Sequence, residues 1–262
     1  MKARIIIAAA LLAAACSPVV NDLETYGLNC KVKELSLQSD TLERNYSVKF
    51  NSRGQVTERT TFNDDGSLRF CETSYFNKKG QLCEIKGING ENETEERFEY
   101  EWDGRFVREC RMYGMNNEEL HHWVHENDGR HIVHTTYYNE GEENYVTTKE
   151  FKGKTYQEVS YTPEGEIMGR ATVDFLTDSK PTRLKGDSID VEIDYNDKGL
   201  PIRSKNTILN SMGEMEWTPD LEVHPERFYS YEYDERGNWI KRTESAHPDG
   251  AAVAVLTRII VY

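Results

Sequence analysis

The sequence is poor in basic residues and in long apolar runs, and both shortages exclude classes of protein. It has 32 Lys and Arg residues against 46 Asp and Glu residues, which gives a formal net charge of −14. Nucleic-acid binding needs clustered basic side chains, so we expect no nucleic-acid partner. The one long apolar stretch lies at the N-terminus, which argues against a protein with several membrane-spanning helices.

Motifs for catalysis and for cofactor binding are absent from the sequence as well. It has no GxSxG, HExxH, P-loop, GxGxxG or CxxC pattern. Acidic pairs are frequent: Asp64-Asp65, Glu95-Glu96, Glu118-Glu119 and Glu142-Glu143. Adjacent residues of a strand point to opposite faces, so these pairs are typical of solvated turns and strand edges rather than of a glycosidase centre. We expect no cofactor and no enzymatic activity; the alternative is a hydrolase with dispersed carboxylates.

The N-terminus has the pattern of a secretory signal. Residues 1–4 are basic, residues 5–15 are apolar but too few to span a bilayer, and Cys16 follows. The sequence Ala-Ala-Ala-Cys at 13–16 is similar to a bacterial lipobox, although a leucine is commoner at position 13. We expect residues 1–15 to be a lipoprotein signal peptide and Cys16 to carry the lipid that holds the domain on a membrane. Ordinary cleavage after Ala15, which leaves an unmodified thiol, is the alternative.

A short phrase, with an aromatic residue four positions before a glycine, recurs through the chain. Its copies contain Gly54, Gly66, Gly80, Gly104, Gly165, Gly199 and Gly237, and an apolar residue usually stands two positions after the glycine. In a hairpin with a type I turn and a left-handed glycine, the aromatic residue faces this apolar residue across the two strands. Each copy therefore predicts one β-hairpin with one cross-strand aromatic–apolar pair.

The repeats predict an all-β fold. Further turns are expected near Gly90, Gly114, Gly141 and Gly153. The result is an antiparallel meander of roughly 14 to 16 strands over residues 46–262, a sheet so long that it should curl, close or split into two layers. We expect residues 16–45 to be a lipidated N-terminus and flexible linker, and Asn206–Arg227 to be a long loop between strands.

One copy of the phrase, Tyr231–Arg242 (YEYDERGNWIKR), resembles a unit of the YD-repeat (Rhs-like) family. The earlier copies keep the aromatic residue, usually an Asn or Asp, and the Gly. A lipoprotein signal, hairpin repeats and a terminal aliphatic strand together also resemble surface lipoproteins of Bacteroides-like bacteria. The resemblance covers most of the chain and implies a β-hairpin repeat fold at the outer membrane, facing the periplasm or the cell surface. Large YD-repeat proteins form shells around a toxin domain, but this chain has too few repeats for a shell.

Five of the seven histidines, His121, His122, His125, His131 and His134, flank one Asn-Asp-Gly turn. If the hairpin centres on this turn, His125 lies opposite His131 on one face, and His122 lies opposite His134 on the other. Two facing histidines can supply two of the ligands of a Zn or Cu site, so metal or haem handling is an alternative function. The competing interpretation is that His125 and His131 fill positions that aromatic and aliphatic residues occupy in the other copies.

Four further cysteines follow Cys16: Cys30, Cys71, Cys83 and Cys110. The same register places Cys71 opposite Gly87 and Cys83 opposite Tyr75. The two sulfurs then lie about four residues apart along the strands, too far for a disulfide at ~3.3 Å per residue. We expect mostly free thiols, with Cys30 the one that can reach a partner.

Two tryptophans are candidate ligand contacts. Trp102 is expected in a turn and Trp217 in the long loop, where an exposed indole ring can stack on a sugar. The sequence as a whole favours a non-enzymatic cell-envelope lipoprotein. We expect it to act as a binding or scaffold module for an extended partner, namely a glycan, a peptide or another envelope protein.

Overall fold

The structure is a computed structural model that describes residues 22–40, 45–177, 180–187, 189–208 and 226–262. These residues contain the four-residue helix α1 (Asp22–Thr25) and 18 β-strands. The strands are β1 (Glu34–Ser39), β2 (Tyr46–Phe50), β3 (Val56–Phe62), β4 (Leu68–Phe76), β5 (Leu82–Asn89), β6 (Thr94–Asp103), β7 (Phe106–Tyr113), β8 (Glu119–Asn127), β9 (Ile132–Asn139), β10 (Glu142–Lys152), β11 (Thr155–Tyr161), β12 (Ile167–Thr177), β13 (Lys180–Gly186), β14 (Ile189–Tyr195), β15 (Pro201–Ile208), β16 (Glu226–Tyr233), β17 (Trp239–Ser245) and β18 (Ala252–Val261). Within the described ranges, no helix is long and apolar enough to cross a membrane.

The strands form a closed antiparallel β-barrel. Each strand pairs with its neighbours in sequence, and the last strand, β18, pairs with the first. At the closure, Leu35 of β1 pairs with Ile260 of β18 on one side and with Val48 of β2 on the other. Closure removes the two exposed edges that an open meander would present. The predicted all-β meander is confirmed, and the sheet closes.

The closing strand β1 lies within the segment that was predicted to be a flexible linker. The sheet begins at Glu34 rather than at Tyr46, and the barrel has more strands than the turn pattern predicts. No aromatic-glycine phrase precedes β1, so the repeat gives no sign of it; the alternation of Leu35 and Leu37 with polar residues is its signal. The predicted loop Asn206–Arg227 is also shorter, because β15 and β16 extend into it from both sides. Residues 209–225 lie outside the described ranges.

Six of the seven repeat hairpins form the predicted aromatic–apolar pair next to the turn. The pairs are Phe50 with Val56, Phe62 with Leu68, Phe76 with Leu82, Tyr161 with Ile167, Tyr195 with Pro201, and Tyr233 with Trp239. In the first hairpin, Gly54 has a φ of 77°, and the Asn51 side-chain oxygen accepts hydrogen bonds from two backbone N–H groups of the turn. The exception is Tyr100, which pairs with Cys110, because β6 continues to Asp103 and only Gly104 and Arg105 form the turn, so that Asp103 pairs with Phe106.

Two turns near Gly90 and Gly114 have the same geometry with asparagine in the glycine position. Asn92 and Asn117 have φ values of 62° and 61°, and each backbone N–H donates to the carbonyl three residues earlier. Asparagine tolerates the left-handed region better than other non-glycine residues. The repeat is therefore more regular in structure than the spacing of glycines indicates.

Where the barrel closes, one face of the sheet is much better buried than the other. Leu35 and Val48 are 0% exposed, whereas Ile259, on the opposite face of β18, is 60% exposed. The N-terminal segment, residues 22–33, packs on the buried face, and the Tyr26 ring contacts Phe50 at a centroid distance of 5.6 Å. Because a closed sheet has one inner and one outer face, the better-buried face is the interior face of the barrel.

The N-terminal segment crosses one end of the barrel. Asn29 donates from its backbone N–H to the side chain of Asn238 in the β16–β17 loop (2.7 Å). On the other side, the backbone N–H of Val56 donates to the Asp22 carboxylate (2.6 Å). The loops that follow even-numbered strands lie at this end, which we name the N-terminal end of the barrel. The loops that follow odd-numbered strands lie at the opposite end.

Candidate functional site

Aromatic side chains form two groups of contacting rings on the interior face of β8 to β12, which together we name the aromatic band. The band consists of Trp123, Tyr137, Tyr145, Phe151, Tyr156 and Phe175, with His121 and His131 beside it. The register followed strand by strand from Val48 places these residues on the interior face. Because alternate residues of a strand point to one face, the rings of neighbouring strands meet in cross-strand pairs.

The rings are in contact within each group, and the two groups are about 20 Å apart along β10, where Tyr145 and Phe151 are separated by six residues. The centroid distances are 5.4 Å from Trp123 to Tyr137 and 4.7 Å from Tyr137 to Tyr145. Further along, Tyr156 lies 5.3 Å from Phe151 and 5.6 Å from Phe175. Of these six rings only Tyr137 is fully buried, and the other five are partly exposed. The band therefore presents ring surface on the interior face.

Polar groups lie between the rings. The Lys149 ammonium is 3.3 Å from the Glu158 carboxylate and 5.1 Å from the centroid of the Tyr156 ring. The Tyr137 hydroxyl is 2.7 Å from Nδ1 of His121. A surface of rings with a few fixed polar groups is the usual composition of a site for a small molecule or a sugar chain.

Several of these polar groups are uncharged at neutral pH, and burial moves their pKa values further from 7. It raises the pKa of Tyr145 to about 12 and also raises the pKa of Tyr156. Burial is also the largest reason why the pKa of His125 falls to about 4, and the nearby Lys149 and His122 add to this effect. The band therefore offers phenol and imidazole groups as hydrogen-bonding partners rather than as charges.

The predicted register of the histidine hairpin is wrong. His125 pairs with Thr135 and not with His131, and His122 pairs with Tyr138 and not with His134. The reason is the position of the loop. The Asp128 N–H donates to the His131 carbonyl (3.1 Å), so the loop is centred between Gly129 and Arg130, whereas the predicted register centres it at Asp128.

The histidines are consequently spread over different surroundings. His131 stacks on Phe151 at 3.9 Å, and His125 lies 2.9 Å from the Thr135 hydroxyl. His122 and His134 share the outer face, as predicted, but lie four residues apart, or about 13 Å along the strands. His122 lies instead against Glu109 (3.4 Å). In the described part of the chain, no three His, Cys, Asp or Glu side chains are grouped as metal ligands.

The other candidate residues lie away from the band or outside the described residues. Trp102 lies in strand β6 rather than in a turn, and its indole N–H donates to the Leu82 carbonyl (2.7 Å). Cys16 and Trp217 fall outside the described ranges, and the expected lipidation and the expected sugar contact stay predictions for these two residues.

No disulfide joins the four described cysteines. The predicted register around Gly80 is off by one residue, since Cys71 pairs with Ile88 and Tyr75 pairs with Glu84. A bulge next to Phe76 causes this shift. Cys71 and Cys83 therefore lie on opposite faces of the sheet and not on one face.

A buried charge cluster lies on the interior face near the closure. Glu244 is 2% exposed and accepts hydrogen bonds from Arg227 (2.9 Å) and Arg242 (2.6 Å). Arg258 packs on the Trp239 ring, with its guanidinium carbon 3.3 Å from the ring centroid. Burial lowers the pKa of Arg258 to about 10, so the group stays a cation at neutral pH. The cluster ties β16, β17 and β18 together beside β1.

Sequence reasoning missed both the aromatic band and the buried charge cluster. The band depends on the register of five consecutive strands and the cluster on that of three, and a bulge in any hairpin changes which residues share a face. A signal was present for the band: Tyr145 and Phe151, and then Tyr156, stand in one hairpin at spacings that bring them to a common face.

Two solved structures are distantly similar to this chain in fold. Neither protein-family models nor curated proteins match this chain. A porin-like protein from Bacteroides uniformis aligns over 87% of this chain and 96% of its own, with 11% identity and a TM-score of 0.44. A chain of the TcdB2–TccC3–Cdc42 complex aligns over 77% of this chain and 14% of its own, with 8% identity and a TM-score of 0.31. Likenesses at this level assign neither a family nor a function.

Proposed function

We propose that the protein is a non-enzymatic cell-envelope lipoprotein that binds an extended glycan along the aromatic band. The band carries the proposal, because it brings six rings from five neighbouring strands to one face. The lipobox-like sequence at Cys16 supports the envelope location. The two ring groups lie about 20 Å apart along β10, a distance that a chain of several sugar units can span.

The chemistry of the band favours a glycan over the other extended partners. The C–H faces of sugar rings pack on aromatic faces, while their hydroxyl groups need neutral donors and acceptors beside the rings. Tyr145, Tyr156 and His125 are such neutral groups at pH 7. Stacked nucleobases would bring phosphates to a chain of net charge −14, which is unfavourable.

A glycan array tests the proposal. Purified protein is applied to immobilised neutral and acidic oligosaccharides of about four to eight units, and the strongest responder is measured by titration calorimetry. Trp123→Leu and Phe151→Leu each remove one ring from the band while keeping an apolar side chain. Each variant should weaken binding about tenfold or more.

The matched control is Tyr75→Leu, which removes a 48%-exposed ring from the outer face. It should bind like the wild-type protein. No binding to any glycan on the array, or an equal loss in the band variants and the control, contradicts the proposal. Circular dichroism of each variant separates loss of binding from loss of fold.

A further inference from the structure

The two ends of the barrel carry opposite charge. The described loops at the end opposite the N-terminal segment contain acidic residues and no Lys or Arg. The acidic residues are Asp40, Asp64, Asp65, Glu91, Glu93, Glu118, Glu140, Glu164, Glu166, Asp187 and Asp249. We name this end the acidic end.

The loops at the N-terminal end are mainly basic. Their described residues include Arg53, Lys78, Lys79, Arg105, Arg130, Lys154, Lys198 and Arg236, all of which are exposed. The acidic residues in the same loops are Asp128, Asp197, Asp234 and Glu235. In the N-terminal segment, Lys31 and Lys33 balance Asp22 and Glu24. This end therefore has a net positive charge within a strongly acidic chain.

The chain enters the barrel at the basic end. Asp22, the first described residue, binds the backbone of Val56 next to the β2–β3 loop. Only six positions separate Asp22 from Cys16, and six residues span at most about 21 Å when extended. A lipid on Cys16 therefore keeps the basic end closer to the membrane than the acidic end.

We propose that the basic N-terminal end of the barrel docks on an anionic lipid surface and that the acidic end points away from it. The proposal rests on the lipid anchor at Cys16 that is part of the proposed function. Exposed Lys and Arg residues are attracted to anionic headgroups within a Debye length of the surface. The acidic end is repelled by the same field, so both ends favour one orientation.

Amine footprinting of the membrane-bound protein tests the orientation. The lipidated full chain is placed in vesicles of phosphatidylcholine with phosphatidylglycerol and treated with a membrane-impermeant acylating reagent. Lys78 and Lys79, in one loop of the basic end, should be labelled at least about threefold more slowly than in detergent solution. Lys185 and Lys205, which are exposed on the barrel wall, should be labelled equally in both.

The protection should disappear in pure phosphatidylcholine vesicles and in about 0.5 M salt, where the Debye length is only a few ångströms. The double variant Lys78→Glu/Lys79→Glu should reduce the protection of Lys154 and Lys198, in two other loops of this end. Lys185→Glu/Lys205→Glu, which changes the net charge equally, should not. Equal labelling of both ends on anionic vesicles, or protection that is independent of anionic lipid, overturns the proposal.

A second measurement separates this proposal from the lipid anchor. Mass spectrometry of the N-terminal peptide reports whether Cys16 is acylated. If it is not, flotation of the unlipidated chain with the same vesicles decides: salt-sensitive binding that is lost in Lys78→Glu/Lys79→Glu, but not in the wall control, supports docking without an anchor. Absence of such binding overturns the docking proposal too.

Discussion

Two sectors of the barrel are built differently. In the closing sector (β17, β18, β1 and β2), the N-terminal segment covers the interior face, and side chains such as Leu35 and Val48 are completely buried. In the aromatic sector (β8 to β12), most interior side chains are partly exposed, and ring contacts run along the face of a single sheet. The first sector resembles a conventional hydrophobic core, and the second resembles the wall of a binding site.

The difference indicates a division between stability and binding. Burial of apolar surface is the main stabilising term in folding, and the closing sector has most of the fully buried side chains. The aromatic sector holds its rings through cross-strand pairs, which contribute less per residue but leave ring surface accessible. The following changes test this division, from the largest expected effect to the smallest.

Leu35→Ala should destabilise the barrel most. It removes a completely buried side chain between β18 and β2, and such changes lower the free energy of unfolding by about 2–5 kcal/mol. Urea unfolding followed by tryptophan fluorescence measures the loss. Ile259→Ala, on the exposed face of the neighbouring strand, is the control and should cost less than about 1 kcal/mol. Equal losses would mean that the closing sector is not a core.

Asn238→Ala should have the next largest effect. Asn238 is fully buried, accepts a hydrogen bond from the Asn29 backbone and donates one to the Tyr262 hydroxyl. The substitution leaves the Asn29 N–H without its partner and should cost about 1–3 kcal/mol in thermal unfolding. Asn77→Ala, in the exposed β4–β5 loop, should cost about 1 kcal/mol or less. If the two variants unfold alike, the N-terminal segment is not held by the β16–β17 loop.

His125 should make the stability of the aromatic sector dependent on pH. Its pKa is about 4 in the folded protein, below the ordinary value of about 6.5. The unfolded chain therefore binds the proton first, and His125 favours folding above about pH 6.5 and loses this contribution as the pH falls towards 4. In urea unfolding between pH 4 and 7, His125→Gln should be less sensitive to pH than the wild-type protein. If the stability of the variant and that of the wild-type protein change with pH in the same way, His125 is solvated and not buried.

The local part of the fold could be predicted from sequence, and the long-range part could not. The pairing of Phe50 with Val56 follows from four residues of turn chemistry, and it recurs in five other hairpins. A repeat pattern in which glycine marks the turn does not predict the left-handed conformation of Asn92 and Asn117. The available signal was an asparagine three residues after the first residue of the hydrogen-bonded turn, which is Asn89 in one case and Gly114 in the other.

Closure and the candidate site depend on interactions between distant parts of the chain. The pairing of Leu35 with Ile260 joins strands at opposite ends of the sequence, and no local pattern specifies it. The aromatic band requires the correct register in four successive hairpins, and the histidine hairpin shows that one displaced loop suffices to change it. The hairpin spacing and the absence of catalytic motifs could therefore be recognised in the sequence, whereas the aromatic band could not.

Hydrogen exchange of the β1 amides tests most directly whether the barrel is closed and so has an interior face. In a closed barrel, β1 hydrogen-bonds to β18 and β2, and the amides of Leu35 and Leu37 should be protected to the same degree as those of central strands such as β4. If residues 34–39 exchange as fast as an unstructured linker while β2 to β17 are protected, the sheet is open, and the interior aromatic site loses its basis.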